Sequence, residues 1–236
     1  MNDCLFFGSN QKPKLIKNKP NEIKKPIQFK FENENENENE KQIKQISSSF
    51  FSIIFLFKNG KAIEYLRDSK QNPEKIQIEN IQKVTVGALN ETILTIEGNV
   101  FAKGMNINPK NPYQFINISS LIEDTNDRII EDIVSGYNSI YLLTSNHNVY
   151  GIGDNEHGQF GFDSVTLRKT EKPILMMKNV SKIFSGNSSK YVFLLNPNQE
   201  LFGCGYNYSS QLGLGESRRN EKKIQKLTKI QNIPKE

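Results

Sequence analysis

Apolar residues run along this chain in short bursts that are rich in β-branched and aromatic side chains and are punctuated by Gly or Asn: Ile81–Val86, Thr92–Ile96, Ile130–Val134, Ile140–Leu143, Val180–Phe184 and Tyr191–Leu195. Bursts of this length, alternating or fully apolar, predict strands rather than helices. The breaks at Gly98-Asn99 and Asn146–Asn148 predict hairpin turns, after which Val100-Phe101 and Val149-Tyr150 open the next strands. The longest apolar stretch, Phe50–Phe57, contains Ser52 and falls well short of the roughly 18 residues a membrane span needs. It is read as an inner strand of a core. The pattern therefore predicts an all-β chain with about four strands in every 50 residues or so.

The strands recur in phase. Gly136–Asn155 falls on Gly87–Asn106 without a gap, so that Gly87 matches Gly136, Gly104 matches Gly153 and Asn106 matches Asn155. Val149–Asp163 falls in turn on Leu201–Gly215. Gly153 then matches Gly205, Asn155 matches Asn207, Gln159 matches Gln211 and Gly161 matches Gly213. The upstream Gly136 returns as Gly186, and weaker copies stand at Ser49–Asp68 and Cys4–Asn10. A small antiparallel sheet with two apolar faces cannot bury both alone and must stack on its sister units. Stacked in a ring, such units make a β-propeller. Glycine in this phase suits positive φ or close backbone approach, and the Asn suits a local turn closed by its side chain.

The segments IVSGYNSIYLLTSNHNVYGIGDNEHGQFGF and IFSGNSSKYVFLLNPNQELFGCGYNYSSQLGLG resemble repeats of the regulator of chromosome condensation family. In that family an upstream Gly and a Leu-Thr hairpin strand lead into Val-Tyr-x-x-Gly-x-Asn-x-x-Gly-Gln-Leu-Gly. The copies at 133–163 and 183–215 match well. The copy at 84–106 lacks the Gly-Gln-Leu-Gly tail, and those at 3–10 and 46–68 are fragmentary. The resemblance implies a β-propeller of seven blades when complete, of which this chain supplies about four to five. It assigns residues 1–10 to a partial first repeat and 43–215 to propeller repeats. Residues 216–236 are read as a basic tail or the start of a further blade, because Ile224–Glu236 has the apolar spacing of a first strand.

Charge modifies this picture only at the ends. The chain carries 31 Lys+Arg against 26 Asp+Glu, a net charge of +5, but the repeat region itself is neutral. The excess lies in residues 1–30 and 216–236, set against the acidic run Glu32–Glu40 (ENENENENE). Residues 11–42, rich in Lys, Pro, Asn and Glu, are expected to be a disordered insertion. A nucleic-acid-binding domain would present its basic stripe on a folded face, so the neutral repeats argue against one. With two Cys and no Trp, neither a disulfide framework nor a Cys-rich zinc module is expected. The Lys-rich start lacks the apolar segment of a signal peptide, and a cytoplasmic or nuclear protein is expected rather than a secreted or membrane one.

Candidate chemistry is sparse. Asp154, Glu156 and His157 share one loop, as an acid–base pair or a metal site would. A metal site needs three or four converging ligands, however, and Tyr206 and Tyr208 fill the positions of Asp154 and Glu156 in the next copy. These five residues are therefore read as variable, solvent-facing positions of two loops on one rim, available for contact with another protein. Cys204, standing where Ile152 stands, is read as a small buried hydrophobe. No catalytic residue, metal or cofactor is expected. The pattern predicts a non-enzymatic protein-interaction module that self-associates through unpaired blade edges. The family resemblance implies an alternative, guanine-nucleotide exchange on a small GTPase. Binding of chromatin through the Lys-rich ends is a third reading.

Overall fold

The structure, a computed structural model, describes residues 4–9, 22–29, 42–67, 73–162, 166–215, 218 and 220–231. The chain divides into two compact units, 1–84 and 85–236.

The first unit holds a two-stranded antiparallel sheet, β1 (Cys4–Ser9) with β2 (Glu22–Phe29), and a four-stranded sheet. The latter is formed in order by β3 (Ile43–Ser48), β4 (Ser52–Phe57), β5 (Ala62–Leu66) and β6 (Glu74–Lys75). The division between units falls within β7 (Ile81–Val86), which completes a sheet with β8 (Asn90–Thr95), β9 (Val100–Gly104) and β10 (Ile116–Asn117). Two further four-stranded sheets follow. One is β11 (Ile130–Ser135), β12 (Ser139–Thr144), β13 (Val149–Asp154) and β14 (Lys169–Met177). The other is β15 (Lys182–Phe184), β16 (Tyr191–Leu195), β17 (Leu201–Tyr206) and β18 (Lys223–Lys229). In these last two sheets each strand pairs with the next in sequence and antiparallel, a meander, which is the architecture of propeller blades. Helical turns among the described residues include two short 3-10 segments, Ser119–Leu121 and Thr125–Asp127. No described helix is long and apolar enough to cross a membrane.

Alternation within the strands explains why the blades of the second unit stack. In the β11–β14 blade, Ile140, Leu142, Tyr150 and Ile152 point into one buried cluster with Leu94, Val100 and Ala102 of the preceding blade. Tyr141, Leu143 and Val149, the residues in between, point into another with Val192, Leu194 and Cys204 of the following blade. Strand side chains alternate faces, and here both faces are apolar and both are covered.

A single hairpin design recurs in four blades. Phe57 N–H donates to Lys61 O, Thr95 to Asn99, Thr144 to Asn148 and Asn196 to Glu200, at 2.9–3.0 Å. The residue before each of these acceptors has positive φ: Gly60 (79°), Gly98 (79°), His147 (61°) and Gln199 (61°). The carbonyl of that residue then accepts from the chain entering the next blade, Gly60 O from Ile81 N (2.9 Å), Gly98 O from Ile130 N (3.0 Å) and His147 O from Val180 N (2.8 Å), the last of these two residues ahead of β15. One backbone position thus both turns the hairpin and ties it to its neighbour.

The blade that lacks the Gly-Gln-Leu-Gly tail fills its core differently. Ile107, Ile118 and Ile122 are buried in the cluster between blades. The loop carrying them is anchored by Asp127. Its carboxylate accepts from Tyr150 Oη (2.6 Å), Asn148 Nδ2 (2.8 Å) and Asn146 Nδ2 (3.1 Å). Burial alone would raise the Asp127 pKa, but these three donors, helped by Lys178, lower it below its ordinary value.

Two expectations need correction. Residues 22–29 lie in the segment read as disordered, yet they form β2 paired to β1. The register slips between Phe6 and Gly8, so Pro26 falls in the irregular stretch, where its missing N–H costs no ladder bond. The remainder of 11–42, apart from Gln42, lies outside the described residues. The strand in 216–236 does not open a further blade. β18 pairs with β17, Gly205 facing Ile224 and Tyr206 facing Lys223, and so serves as the outer strand of the same sheet. Ile224 is buried there, which accounts for the apolar spacing. The copy at 46–68, fragmentary as a motif, nevertheless lies in a full four-stranded sheet.

Candidate interaction surface

The repeat motif residues build the loops at one end of the blades. In both well-matched copies the Asn of Gly-x-Asn clamps its loop from the inside. Asn155 donates to Leu167 O (2.7 Å) and accepts from Phe160 N (2.8 Å), while Asn207 donates to Glu221 O (2.9 Å) and accepts from Leu212 N (3.1 Å). The Gln repeats too: Gln159 Oε1 accepts from His157 N (2.8 Å) and Gln211 Oε1 from Ser209 N (2.9 Å). Between them Phe160 and Leu212 are driven into the core. Gly161 and Gly213 follow directly on these plugs, Gly161 N–H donating to Gly158 O and Gly213 N–H to Ser210 O, both at 3.1 Å.

Gly153 shows why the phase calls for glycine. Its φ is 104°, and a Cβ there would stand 2.4 Å from Asn138 O. Gly205 repeats this against Lys190 O and Gly104 against Leu89 O. Gly87, Gly136 and Gly186 lie in the loops between first and second strands, where Leu89 N–H donates to Tyr137 O (2.9 Å) and Tyr137 N–H to Ser189 O (2.8 Å), stitching consecutive blades. Asn106 departs from the pattern. It is half-buried, and Asn108 closes its loop instead, accepting from Asn111 N (3.4 Å) and donating to Gln114 O (3.3 Å).

The five loop residues read as solvent-facing separate into two kinds. Asp154 is buried, a correction to that reading. One carboxylate oxygen accepts from Glu156 N (3.2 Å) and the other from Gln159 Nε2 (3.1 Å), so it belongs to the loop's internal frame. Glu156 is exposed. The other three come together across two blades. The His157 ring meets Tyr206 edge-on at 5.2 Å, and Tyr206 stacks on Tyr208 at 4.7 Å with planes 16° apart. Tyr208 is 50% exposed.

Three lysines that sequence reasoning passed over complete the group. Lys222 Nζ lies 5.1 Å from the Tyr208 centroid, and Lys190 Nζ lies 4.6 Å from that of Tyr137. Lys223 Nζ donates to Glu156 O at 3.2 Å. Burial first, and then the charges of Lys190 and Lys223, hold the His157 pKa below its ordinary value, so the imidazole is neutral at pH 7. Its Nδ1 is buried with no hydrogen-bond partner among the described residues. Lys222 and Lys223 lie in the stretch taken for a basic tail. The signal that could have placed them is the alternation of β18, which puts Lys223 opposite Tyr206.

Nothing in this arrangement resembles an acid–base or nucleophilic constellation. Among the described residues no three His, Cys, Asp or Glu side chains converge as metal ligands do. The Cys204 thiol is fully buried, donates to Gln159 O (3.2 Å), and has its pKa raised by desolvation. A thiol so placed is inert.

Comparison with known proteins agrees with the architecture. Residues 130–159 match the regulator of chromosome condensation (RCC1) repeat. An RCC1 repeat-containing protein of Dictyostelium discoideum is 34% identical over 106 residues, covering 43% of this chain and 21% of that protein. The serine/threonine-protein kinase Nek9 of Xenopus laevis is 24% identical over 149 residues, covering 61% of this chain and 16% of the kinase. This chain thus spans about a fifth or less of these relatives. Among solved structures, Prp20p of Saccharomyces cerevisiae superposes with a TM-score of 0.77 at 14% identity, over 98% of this chain and 59% of Prp20p. Human WBSCR16 gives 0.69 at 15% identity, over 98% of this chain and 66% of that one. At such identities the likeness concerns the fold. The recurrent hairpins, the Asn clamps and these matches together show all-β propeller blades, in which residues 130–159 are similar to a regulator of chromosome condensation repeat.

Proposed function

We propose that the chain is a protein-interaction module, and that the rim formed by His157, Tyr206, Tyr208 and their lysines is its contact surface. The observation that carries this reading is the aromatic group shared between the loops of two blades, with Tyr208 half exposed. Tyrosine offers a large amphipathic surface at little entropic cost, and it is enriched where proteins meet. The loops bearing these rings are held rigidly by Asn155 and Asn207, so the surface is preorganised. Function in repeat folds resides in such grafted surfaces rather than in the blades themselves.

The test is site-specific photo-crosslinking in cells. A photoreactive residue at Tyr208 captures a discrete protein partner, while one at Glu97, in an opposite-end hairpin, does not. Equal labelling at both positions, or none at Tyr208, contradicts the reading.

A second reading, regulation of a small GTPase, is favoured by the likeness in fold to Prp20p, which binds Gsp1p. Timing nucleotide release from purified small GTPases with and without this protein decides it. Acceleration supports the second reading, and unchanged release rates reject it.

A further inference from the structure

Resting on the interaction reading above, we propose that the rim recognises an acidic segment of a polypeptide, a run of Asp or Glu side chains, rather than a nucleic acid or a neutral surface.

Charge and ring geometry carry this. Lys190, Lys222 and Lys223 converge on the rim from the loop before β16 and from the start of β18. Among the described residues none of the three has a carboxylate within ion-pair distance. Lys190 and Lys222 are held over tyrosine faces, which favour the ammonium without neutralising it. Lys223 is held by the carbonyl of Glu156, again without losing its charge. The acidic groups nearby are mostly occupied. Asp154 is buried with both oxygens engaged, and Glu221 is paired with Arg218 at 2.6 Å. Among the described residues of these two loops, exposed Glu156 is the remaining carboxylate, against three lysines. The local balance is therefore cationic on a repeat region whose pooled charge is zero. His157, neutral at pH 7, adds no charge.

The rings argue for carboxylates over bases. Single-stranded nucleic acid binds by stacking bases on uncovered aromatic faces. Here Tyr206 carries Tyr208 stacked on it and His157 against it, Tyr208 carries Lys222 over it, and Tyr137 carries Lys190 over it. The faces serve to position ammonium groups. An acidic peptide meets those groups directly, and its aliphatic stems lie against the exposed edge of Tyr208.

Fluorescence anisotropy on the full chain tests this, with labelled oligoglutamate, oligoglutamine of equal length and oligothymidylate as probes. Oligoglutamate is expected to bind, to weaken as salt rises, and to lose about tenfold or more in affinity in a Lys190→Glu/Lys222→Glu variant, a change of ~1.4 kcal/mol. Lys182→Glu, in the strand β15, is expected to leave affinity unchanged. Lys190→Gln/Lys222→Gln, with a thermal melt, separates loss of charge from loss of fold. Tighter binding of oligothymidylate, equal binding of oligoglutamine, or indifference to the lysine variants overturns the proposal. Crosslinking of a partner at Tyr208 that is likewise indifferent to the lysines overturns the acidic class while leaving the interaction reading intact.

Discussion

The carbonyl oxygen of Asn138 lies 2.4 Å from the point where a Cβ on Gly153 would stand. Two strands approach there so closely that Asp154 N–H donates to that same carbonyl at 2.8 Å. Gly153→Val must therefore break a backbone contact and also adopt a φ of 104° that L residues avoid. We expect a loss of about 3 kcal/mol or more, and a comparable loss for Gly205→Val. Gly186→Ala meets only the Ser189 side chain at under 3 Å and should cost about 1 kcal/mol or less. Thermal melts of the three variants check this, and a parent-like melt for Gly153→Val contradicts it.

The glycine phase was legible because backbone crowding leaves no alternative residue, so it recurs wherever the blade recurs. The blades themselves were legible for the same reason, in the doubly apolar alternation of Ser139–Thr144 and Tyr191–Leu195. β2 was not legible, because Lys24, Lys25 and Pro26 mask the alternation of Ile27 and Phe29 and the bulge that accommodates Pro26 is a pairing property. The outer strand β18 looked like a new beginning because an outer and a first strand share one apolar spacing. The rim was half legible. Tyr206 and Tyr208 stood out as positions where copies differ, but Lys190 and Lys222 become neighbours of tyrosines only through the register of strands and the packing of blades.

Glu91 and Lys103 form an ion pair at 3.1 Å with both side chains 8% exposed. The cross-strand partners at the same position in sister blades are Ile53 with Tyr65, Ile140 with Ile152, and Val192 with Cys204. The architecture therefore accepts an apolar pair here. Glu91→Ile alone takes the carboxylate away from a buried ammonium that keeps its place over the Phe115 ring, and is expected to cost about 3–5 kcal/mol. Glu91→Ile/Lys103→Ile is expected to be neutral or stabilising. A double-mutant cycle by chemical denaturation measures the coupling, and additive losses would contradict the account.

Asp127 makes stability depend on pH in a defined direction. Its pKa is lowered in the fold from the ordinary 3.8. A depressed carboxylate contributes stability that is fully present above its unfolded value and is lost as pH falls through the folded one. Asp127→Asn is expected to lose roughly 1.5–3 kcal/mol at neutral pH. That deficit relative to the parent should shrink below about pH 4. Melting temperatures of both proteins across acid pH test this, and a constant deficit would remove Asp127 from the explanation.

Asn155 and Asn207 do the same work in adjacent loops. Replacing either by Ala leaves a buried N–H without its acceptor, Phe160 N in one case and Leu212 N in the other. Each should cost about 1–3 kcal/mol, with nearly additive losses because the two clamps share no partner. Hydrogen exchange should localise the added mobility to 155–161 in one variant and 207–213 in the other. Loss of protection spread evenly over the blades would contradict the clamp.

The interaction account rests most directly on Tyr208. With a photoreactive residue at 208 and, separately, at 97, the account predicts a discrete protein adduct from position 208 alone, reduced when Lys190 and Lys222 are both changed to Glu. Absence of an adduct at 208, or one of equal yield at 97, would contradict it.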